Sequence, residues 1–390
     1  MKENTFLVHY DELSLKGGNR SYFEKTLIEN IKRQAKNNGV SLGADNLWGR
    51  ILLSSQMENK NIDAVLKKVT GIAWYANCRS ITANKEKIKK VIDKIAGKKT
   101  FSTFAIRAKV ASKDFPLKRK GLEIELGSYV VEKYQKKVDL ENPNLTFFIE
   151  AYSLKKVFIY SKKKKGLGGL PVKTAGKGLA LISGGIDSPV ASFLMFPRGL
   201  SLDFVHFHSY PKTDQASVEK AKRLVELLSH FQPNTRLHLV PILSIQEQIY
   251  SNCNHKYLVI LYRRIMLRTA QIVAEKNNLN CLVTGDALSQ VASQTIENLT
   301  VQNDATSLPI FRPVISFNKE DVIKIARKIG TFPISIEPHA DCCSLFIPKH
   351  PATKSKIKDI IREEGKLDLK KLINEALEKA EVVSFPAKNK

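Results

Sequence analysis

Residues 178–195, GLALISGGIDSPVASFLM, carry the most chemical information in this sequence. The run GLALIS has the continuous apolar character of a strand buried on both faces and ends near Ile182. The chain then turns through Ser183, Gly184 and Gly185, and a helix is expected to begin near Asp187 and Ser188. Two glycines let backbone N–H groups approach an anion closely, and a helix start adds further donors and the positive end of a dipole. The chemistry this favours is phosphate binding. The spacing lacks GxxxxGK[ST], so the loop is not of the Walker type, and a short Gly-Gly turn alone also fits a plain strand-to-helix connection.

Three other groups of residues could react or bind. Cys342 and Cys343 are adjacent in PHADCCSLFIP. Neighbouring side chains cannot both enter one core, so at least one thiol is expected to be accessible, whereas Cys78 and Cys281 suit the usual role of inert, buried cysteine. A vicinal disulfide between Cys342 and Cys343 would close a strained ring. Arg263 and Arg264 fit helix-surface charge or a phosphate contact, and spacing does not choose between the two residues. Gly285 follows the apolar segment CLVT. It fits a simple turn, or the carboxyl edge of a parallel sheet where ligands bind.

The elements that position these residues fall into two patterns. The first part reads as strand NTFLVHY, helix NRSYFEKTLIENIKRQAKNNG with Gly39 at its C-cap, strand LWGRILLSS, and IDAVLKKVTGIAWYANC as a helix running into a strand. That is a β-α-β-β-α-β-like unit. Helix NKEKIKKVIDKIAG, strand TFAIRAKV, helix LEIELGSYVVEKYQKK and strands LTFFIEAYS and KVFIYSK follow. Residues 161–178, rich in Lys and Gly, read as the clearest domain boundary. Beyond it strands and helices alternate as in a doubly wound α/β domain, with SLDFVHFHS, RLHLVPI and CLVTGD as strands. Residues from Lys354 onward read as helical and charged.

At 390 residues the chain has room for two or three domains, and 43% hydrophobic residues exclude a disordered chain. No run approaches the roughly 20 apolar residues of a membrane span. The first residues, Met1-Lys2-Glu3-Asn4, lack an apolar signal core, and five cysteines do not form a disulfide framework, so a cytoplasmic location without membrane contact is expected. Against 38 Asp and Glu stand 63 Lys and Arg, a net charge of +25. Residues 85–120 supply +10 of it (13 basic, 3 acidic) and residues 155–177 another +8 (8 Lys, no acid). Such runs are often only solvated faces, yet phenylalanines and β-type residues accompany the first window. Concentrated charge on a compact α/β unit is the footprint expected of nucleic-acid binding. Lys109, Lys118, Arg119, Lys120, Lys162, Lys163 and Lys164 are the candidate RNA contacts.

SGGIDS, after a buried strand and before a helix, resembles the PP-loop of enzymes that adenylate an oxygen, release pyrophosphate and admit a nucleophile. The resemblance then widens. HYDELSLKGGNRSYFEKTLIENI, KGLGGLPVKTAGKGLALISGGIDSPVA, VHFHSYP, YRRIMLR, TGDALSQVASQT, LPIFRPVISFNKEDVIKIARKIGTF and HADCCSLFIPKHPAT resemble, in order, segments of the tRNA 4-thiouridine synthetases, or ThiI-type tRNA sulfurtransferases. This implies an α/β protein with three parts: a ferredoxin-like α+β domain (1–78), a THUMP α/β RNA-binding domain (79–165) and a doubly wound, parallel-sheet PP-loop ATPase domain (166–390). The first two would hold the acceptor end of tRNA, and the third would replace O4 of uridine 8 by sulfur. The implied ATP site comprises Leu181, Ile182, Ser183, Gly184, Gly185, Asp187, Ser188, His206, Phe207, Arg263, Gly285 and Gln294, with Asp187 also a ligand of Mg²⁺. Cys343 would carry the persulfide, with Cys342 assisting.

Many relatives carry a C-terminal rhodanese domain, but this sequence ends at Lys390 without one. Sulfur is therefore expected to reach the PP-loop domain directly from a cysteine desulfurase or another persulfide donor. Some relatives without rhodanese hold an iron–sulfur cluster through a CxxC pair and a third cysteine; the corresponding SNCNHKYLV has Cys253 alone, so a cluster on Cys253, Cys342 and Cys343 is the less expected alternative to none. The resemblance also implies sulfur supply to a carrier for thiamin thiazole synthesis, and a homodimer is the expected assembly. Other PP-loop thiolases and amidotransferases would leave ELSLKGGNR and the basic middle region unexplained. A non-catalytic tRNA-binding protein with a vestigial ATP site is opposed by the intact SGGIDS.

Overall fold

The computed structural model describes residues 4–10, 12–111, 114–338, 345–346, 348 and 350–385. The chain divides into two units, 1–169 and 170–389.

Unit 1 begins with β1 (Asn4–His9), α1 (Arg20–Asn37), β2 (Gly43–Leu47), β3 (Arg50–Ser55), α2 (Asn59–Leu66) and β4 (Trp74–Ile81). It continues with α3 (Lys85–Ala96), β5 (Thr103–Val110), α4 (Arg119–Tyr134), β6 (Lys137–Val138), β7 (Leu145–Ser153), β8 (Lys156–Tyr160) and β9 (Lys164–Lys165). Among the described residues these strands form one sheet in the order β2-β3-β1-β4-β8-β7-β5-β6, with β9 on β4. The join lies within β4, which pairs β1 from Trp74 to Cys78 and β8 from Arg79 to Ile81. Helix α3 forms because Ile88, Val91, Ile92 and Ala96 recur at helical spacing, and because the Asn84 side chain accepts from Lys87 N–H at its start. Its apolar face packs with Leu122, Leu126 and Val130 of α4 onto Phe104, Phe147 and Ile149. Each such buried side chain contributes about 1.5–3 kcal/mol. Gly39, at φ 65°, ends α1 as expected.

Unit 2 contains β10 (Lys177–Leu181), α5 (Asp187–Met195), β11 (Ser201–His208), α6 (Ala216–Ser229), β12 (Thr235–Pro241), α7 (Leu243–Asn252), α8 (Leu258–Lys276) and β13 (Leu282–Val283). Then follow α9 (Ile296–Asn303), β14 (Ile310–Phe311), α10 (Lys319–Ile329), α11 (Phe332–Ser335), α12 (Ile357–Glu364), α13 (Leu369–Glu378) and β15 (Glu381–Phe385). The sheet order is β14-β13-β10-β11-β12-β15, parallel except for β15, which runs antiparallel to β12. The fold is thus the α/β combination that the sequence implied, a mixed sheet with helices followed by a doubly wound, mostly parallel sheet.

Two local readings need correction. LWGRILLSS is not one strand: Trp48 and Gly49 make the turn of a hairpin between β2 and β3, with Gly49 at φ 81°. The C-terminal region is not wholly helical, since EVVSF pairs with β12. Its valines and phenylalanine lie on an open sheet edge, so the segment lacks the long apolar run of the buried strands.

Candidate functional site

The carboxyl ends of β10, β11 and β13 open onto a cavity of about 560 Å³, within the usual range for small-molecule sites. Of the residues expected to form an ATP site, all except Gly184 line it. The anion-binding loop is shaped by its own serines. Ser183 N–H donates to Ser188 Oγ at 2.9 Å, and Gly185 N–H donates to Ser183 Oγ at 3.3 Å. Helix α5 starts at Asp187, so its first N–H groups and its dipole face the loop. His206, buried on β11, is held by a 2.9 Å hydrogen bond between Nδ1 and Ile182 O.

Gly285 is more than a turn residue. A Cβ there would stand 2.6 Å from Ser188 N and 2.7 Å from Ser188 Cα, so only glycine lets the β13 loop meet the start of α5.

The two arginines left open by the sequence now separate. Arg263 lines the cavity, with its side chain 25% exposed, and donates from Nη1 to Asp286 Oδ1 at 2.7 Å. Arg264 is fully buried and is bound to Glu364 and Asp304. Only Arg263 can reach a ligand in the cavity.

Asp286 is the hub of this wall. It accepts from Arg263, from Thr284 Oγ1 at 2.7 Å, from Arg312 Nε at 3.2 Å and from Gln294 Nε2 at 3.3 Å. Burial alone would raise its pKa, but the two arginines and the threonine hydroxyl outweigh burial and bring it to about 2. The other polar atom of the Gln294 side chain, Oε1, is buried without a hydrogen-bond partner among the described residues. It is an acceptor left for a ligand.

Asp187, 19% exposed, accepts from Lys319 Nζ at 2.8 and 2.9 Å and from Gln290 Nε2 at 3.2 Å. Lys319 and Asp286 were not singled out from sequence. Signals existed: Asp286 adjoins Gly285 at the carboxyl edge of a strand, and Lys319 opens α10, where the dipole disfavours a cation.

Cys342 and Cys343 lie outside the described residues. Cys253 is buried, with Sγ donating to Glu363 O at 3.5 Å, and burial pushes its thiol up to about 11. Among the described residues no cluster of three His, Cys, Asp or Glu side chains is arranged to hold a metal. None of their helices is long and apolar enough to cross a membrane.

The RNA-contact candidates belong to unit 1. Lys118, Arg119 and Lys120 are exposed at the start of α4, where Arg119 also bonds Glu123 at 3.1 Å. Lys109 is exposed on β5, and Lys162 follows β8. Lys163 Nζ lies 4.4 Å from the ring centroids of both Trp74 and Phe148. Lys164 is ion-paired with Asp63. Nearby, Glu150 is buried with Arg50, His9 and Tyr160 as partners.

Comparison with known proteins agrees with this arrangement. The family "Thiamine biosynthesis protein (ThiI)" matches residues 173–369, the "ThiI ferredoxin-like domain" residues 5–76 and the THUMP domain residues 82–160. A probable tRNA sulfurtransferase of Caldanaerobacter subterraneus subsp. tengcongensis is 39% identical over 95% of this chain and 97% of its own. One from Clostridium kluyveri is 39% identical over 99% of this chain and 100% of its own. A 4-thiouridine synthetase crystallised with RNA and ATP superimposes with a TM-score of 0.89 at 34% identity, covering 98% of this chain and 100% of that one. With these similarities spanning both units, the chain belongs to the ThiI family of tRNA sulfurtransferases.

Proposed function

We propose that the protein makes 4-thiouridine at position 8 of tRNA, consuming ATP and releasing AMP and pyrophosphate. The observation that carries this reading is the cavity at the sheet's carboxyl edge. There a glycine-rich helix start, Arg263 and the unpartnered Gln294 Oε1 offer donors to phosphate and an acceptor to an amine such as that of adenine. The carbonyl oxygen of uracil is a poor leaving group. ATP overcomes this when O4 attacks the α-phosphorus: an O–P bond forms, pyrophosphate leaves, and an adenylate remains on C4.

The chain's own residues serve that step by position and charge. The first N–H groups of α5 and Arg263 hold phosphate oxygens, and Asp286 keeps the guanidinium fixed toward the cavity. Asp187 already faces a cation, the Lys319 ammonium. One carboxylate with ligand phosphate oxygens is an ordinary Mg²⁺ set, so Asp187 fits that ion. When bound, Mg²⁺ would neutralise charge on the departing pyrophosphate.

The outer sulfur of a persulfide on Cys343 then attacks C4, and AMP departs. A second thiol attacks the inner sulfur. The S–S electron pair stays with the sulfur on the base, and the resulting disulfide is reduced by an external thiol. The basic surface of unit 1 supplies the affinity for tRNA.

The test is incubation of the full-length protein with unmodified tRNA, ATP and a persulfide donor, followed by nucleoside analysis. One 4-thiouridine per AMP released is expected. ATP turnover without thiouridine, or thiouridine without ATP, would contradict the reading.

A further inference from the structure

Lys220 is out of character with its surroundings. It lies in α6, in a stretch, SVEKAKRL, whose other charged residues face outward or to the rim. Yet it is 3% exposed, the only lysine so deeply buried among the described residues. An ammonium taken out of water is costly unless its hydrogens are satisfied, so a buried lysine marks a place where a particular geometry is held.

Its bonds show what is held. Nζ donates to Ser335 O at 2.9 Å and to Glu337 O at 2.6 Å. Both carbonyls lie at or just beyond the end of α11, where carbonyls lose their helical partners. Two further ties meet at this point. Arg223, one turn along α6, binds the Glu337 carboxylate through both nitrogens at 2.7 and 2.8 Å. Ser335 Oγ donates to Gly185 O, in the anion-binding loop itself, at 3.2 Å. Residues 335–337 are therefore fastened to α6 on one side and to the phosphate loop on the other. In sequence they stand a few residues before Cys342 and Cys343.

We propose that Lys220 is a positioning residue for sulfur transfer: it fixes, relative to the phosphate loop, the point from which the chain departs toward the cysteine pair. The inference rests on the reading of Cys343 as sulfur carrier. Adenylation needs the cavity, whose loop keeps its own ties between Ser183, Gly185 and Ser188 without Lys220; attack by sulfur on the adenylate needs the anchor as well. Lys220 thus separates the two half-reactions.

Lys220→Met keeps the stem length and removes the ammonium. In the full-length protein, the first-turnover burst of tRNA-dependent pyrophosphate and its dependence on ATP concentration should stay within about twofold, while 4-thiouridine formation falls about tenfold or more, as misplacement by about 1 Å can produce. Lys220→Arg, which keeps a cation, should recover part of the loss. Unchanged thiouridine, or pyrophosphate release that falls in parallel with it, overturns the assignment. If Lys220→Met does not fold, Arg223→Ala, which removes the flanking tie to Glu337 and leaves the phosphate loop untouched, is read in the same way. Cys343→Ser run alongside separates the two readings. Full thiouridine from that variant overturns the sulfur-carrier assignment and this one with it. An inactive Cys343→Ser beside a fully active Lys220→Met overturns the positioning role alone.

Discussion

The two units use positive charge in opposite ways. In unit 1, Lys109, Lys118, Lys120 and Lys162 are exposed and form no ion pair among the described residues. In unit 2 the two carboxylates that line the cavity are tied to three cations: Asp286 to Arg263 and Arg312, and Asp187 to Lys319. Exposed lysines keep their hydration and counterions until a polyanion displaces them, which gives affinity without fixed geometry. Paired cations give up freedom beforehand and present a fixed direction to one small ligand. On the function proposed above, the difference separates holding an RNA from carrying out chemistry on it.

Variants can break this separation on either side. The largest effect is expected for Asp187→Ala, which removes the Lys319 partner and the carboxylate proposed to hold Mg²⁺. Thiouridine formation should fall by about 10³-fold, comparable to loss of a principal electrostatic group, while tRNA affinity measured by filter binding stays within about twofold. Next is charge reversal at Lys118, Arg119 and Lys120. It should weaken tRNA binding and reduce the slope of log K against log salt by roughly 0.7–0.9 for each phosphate no longer neutralised, with ATP affinity unchanged. Asp286→Asn is milder. It loosens Arg263 without deleting it, so the KM for ATP, read by pyrophosphate release, should rise about tenfold, the worth of one charge-assisted hydrogen bond.

The smallest effect concerns acid stability. Burial would raise the pKa of Glu150, but His9 and Arg50 outweigh it and hold it at about 2. A carboxylate with a lowered folded pKa stabilises fully above its unfolded value, and that contribution is lost as pH falls toward the folded one. The contribution of Glu150 to the thermal stability of unit 1, read as the difference from Glu150→Gln, should therefore be complete above about pH 4.5 and be lost between there and about pH 2.

Much of this was legible in the sequence because buried parallel strands and amphipathic helices announce themselves. GLALIS, the 3.6-residue spacing of α3 and the turn after CLVT all correspond to observed elements. The cavity wall was less legible for a physical reason. Helix α8 buries residues on nearly every side, including Leu261, Tyr262, Arg264 and Ile265. Its polar stripe, Arg264, Arg268, Gln271 and Glu275, points to Arg264 as the exposed arginine, yet ion pairs with Asp304 and Glu364 bury that residue. Asp286 and Lys319 matter through partners tens of residues away in sequence, Arg263 and Asp187, and no local spacing records such pairs. Lys220 is hidden in the same way: within SVEKAKRL it reads as one more surface charge, and only α11 packing over it reveals the burial.

The central claim is that ATP activates O4 of the target uracil before sulfur arrives. Transcripts carrying oxygen-18 at O4 of uridine 8 test it directly, with the released AMP analysed by mass spectrometry after one turnover with ATP and a persulfide donor. The account predicts one labelled oxygen in each AMP per 4-thiouridine formed. Label recovered in water or in pyrophosphate, with unlabelled AMP, would contradict it.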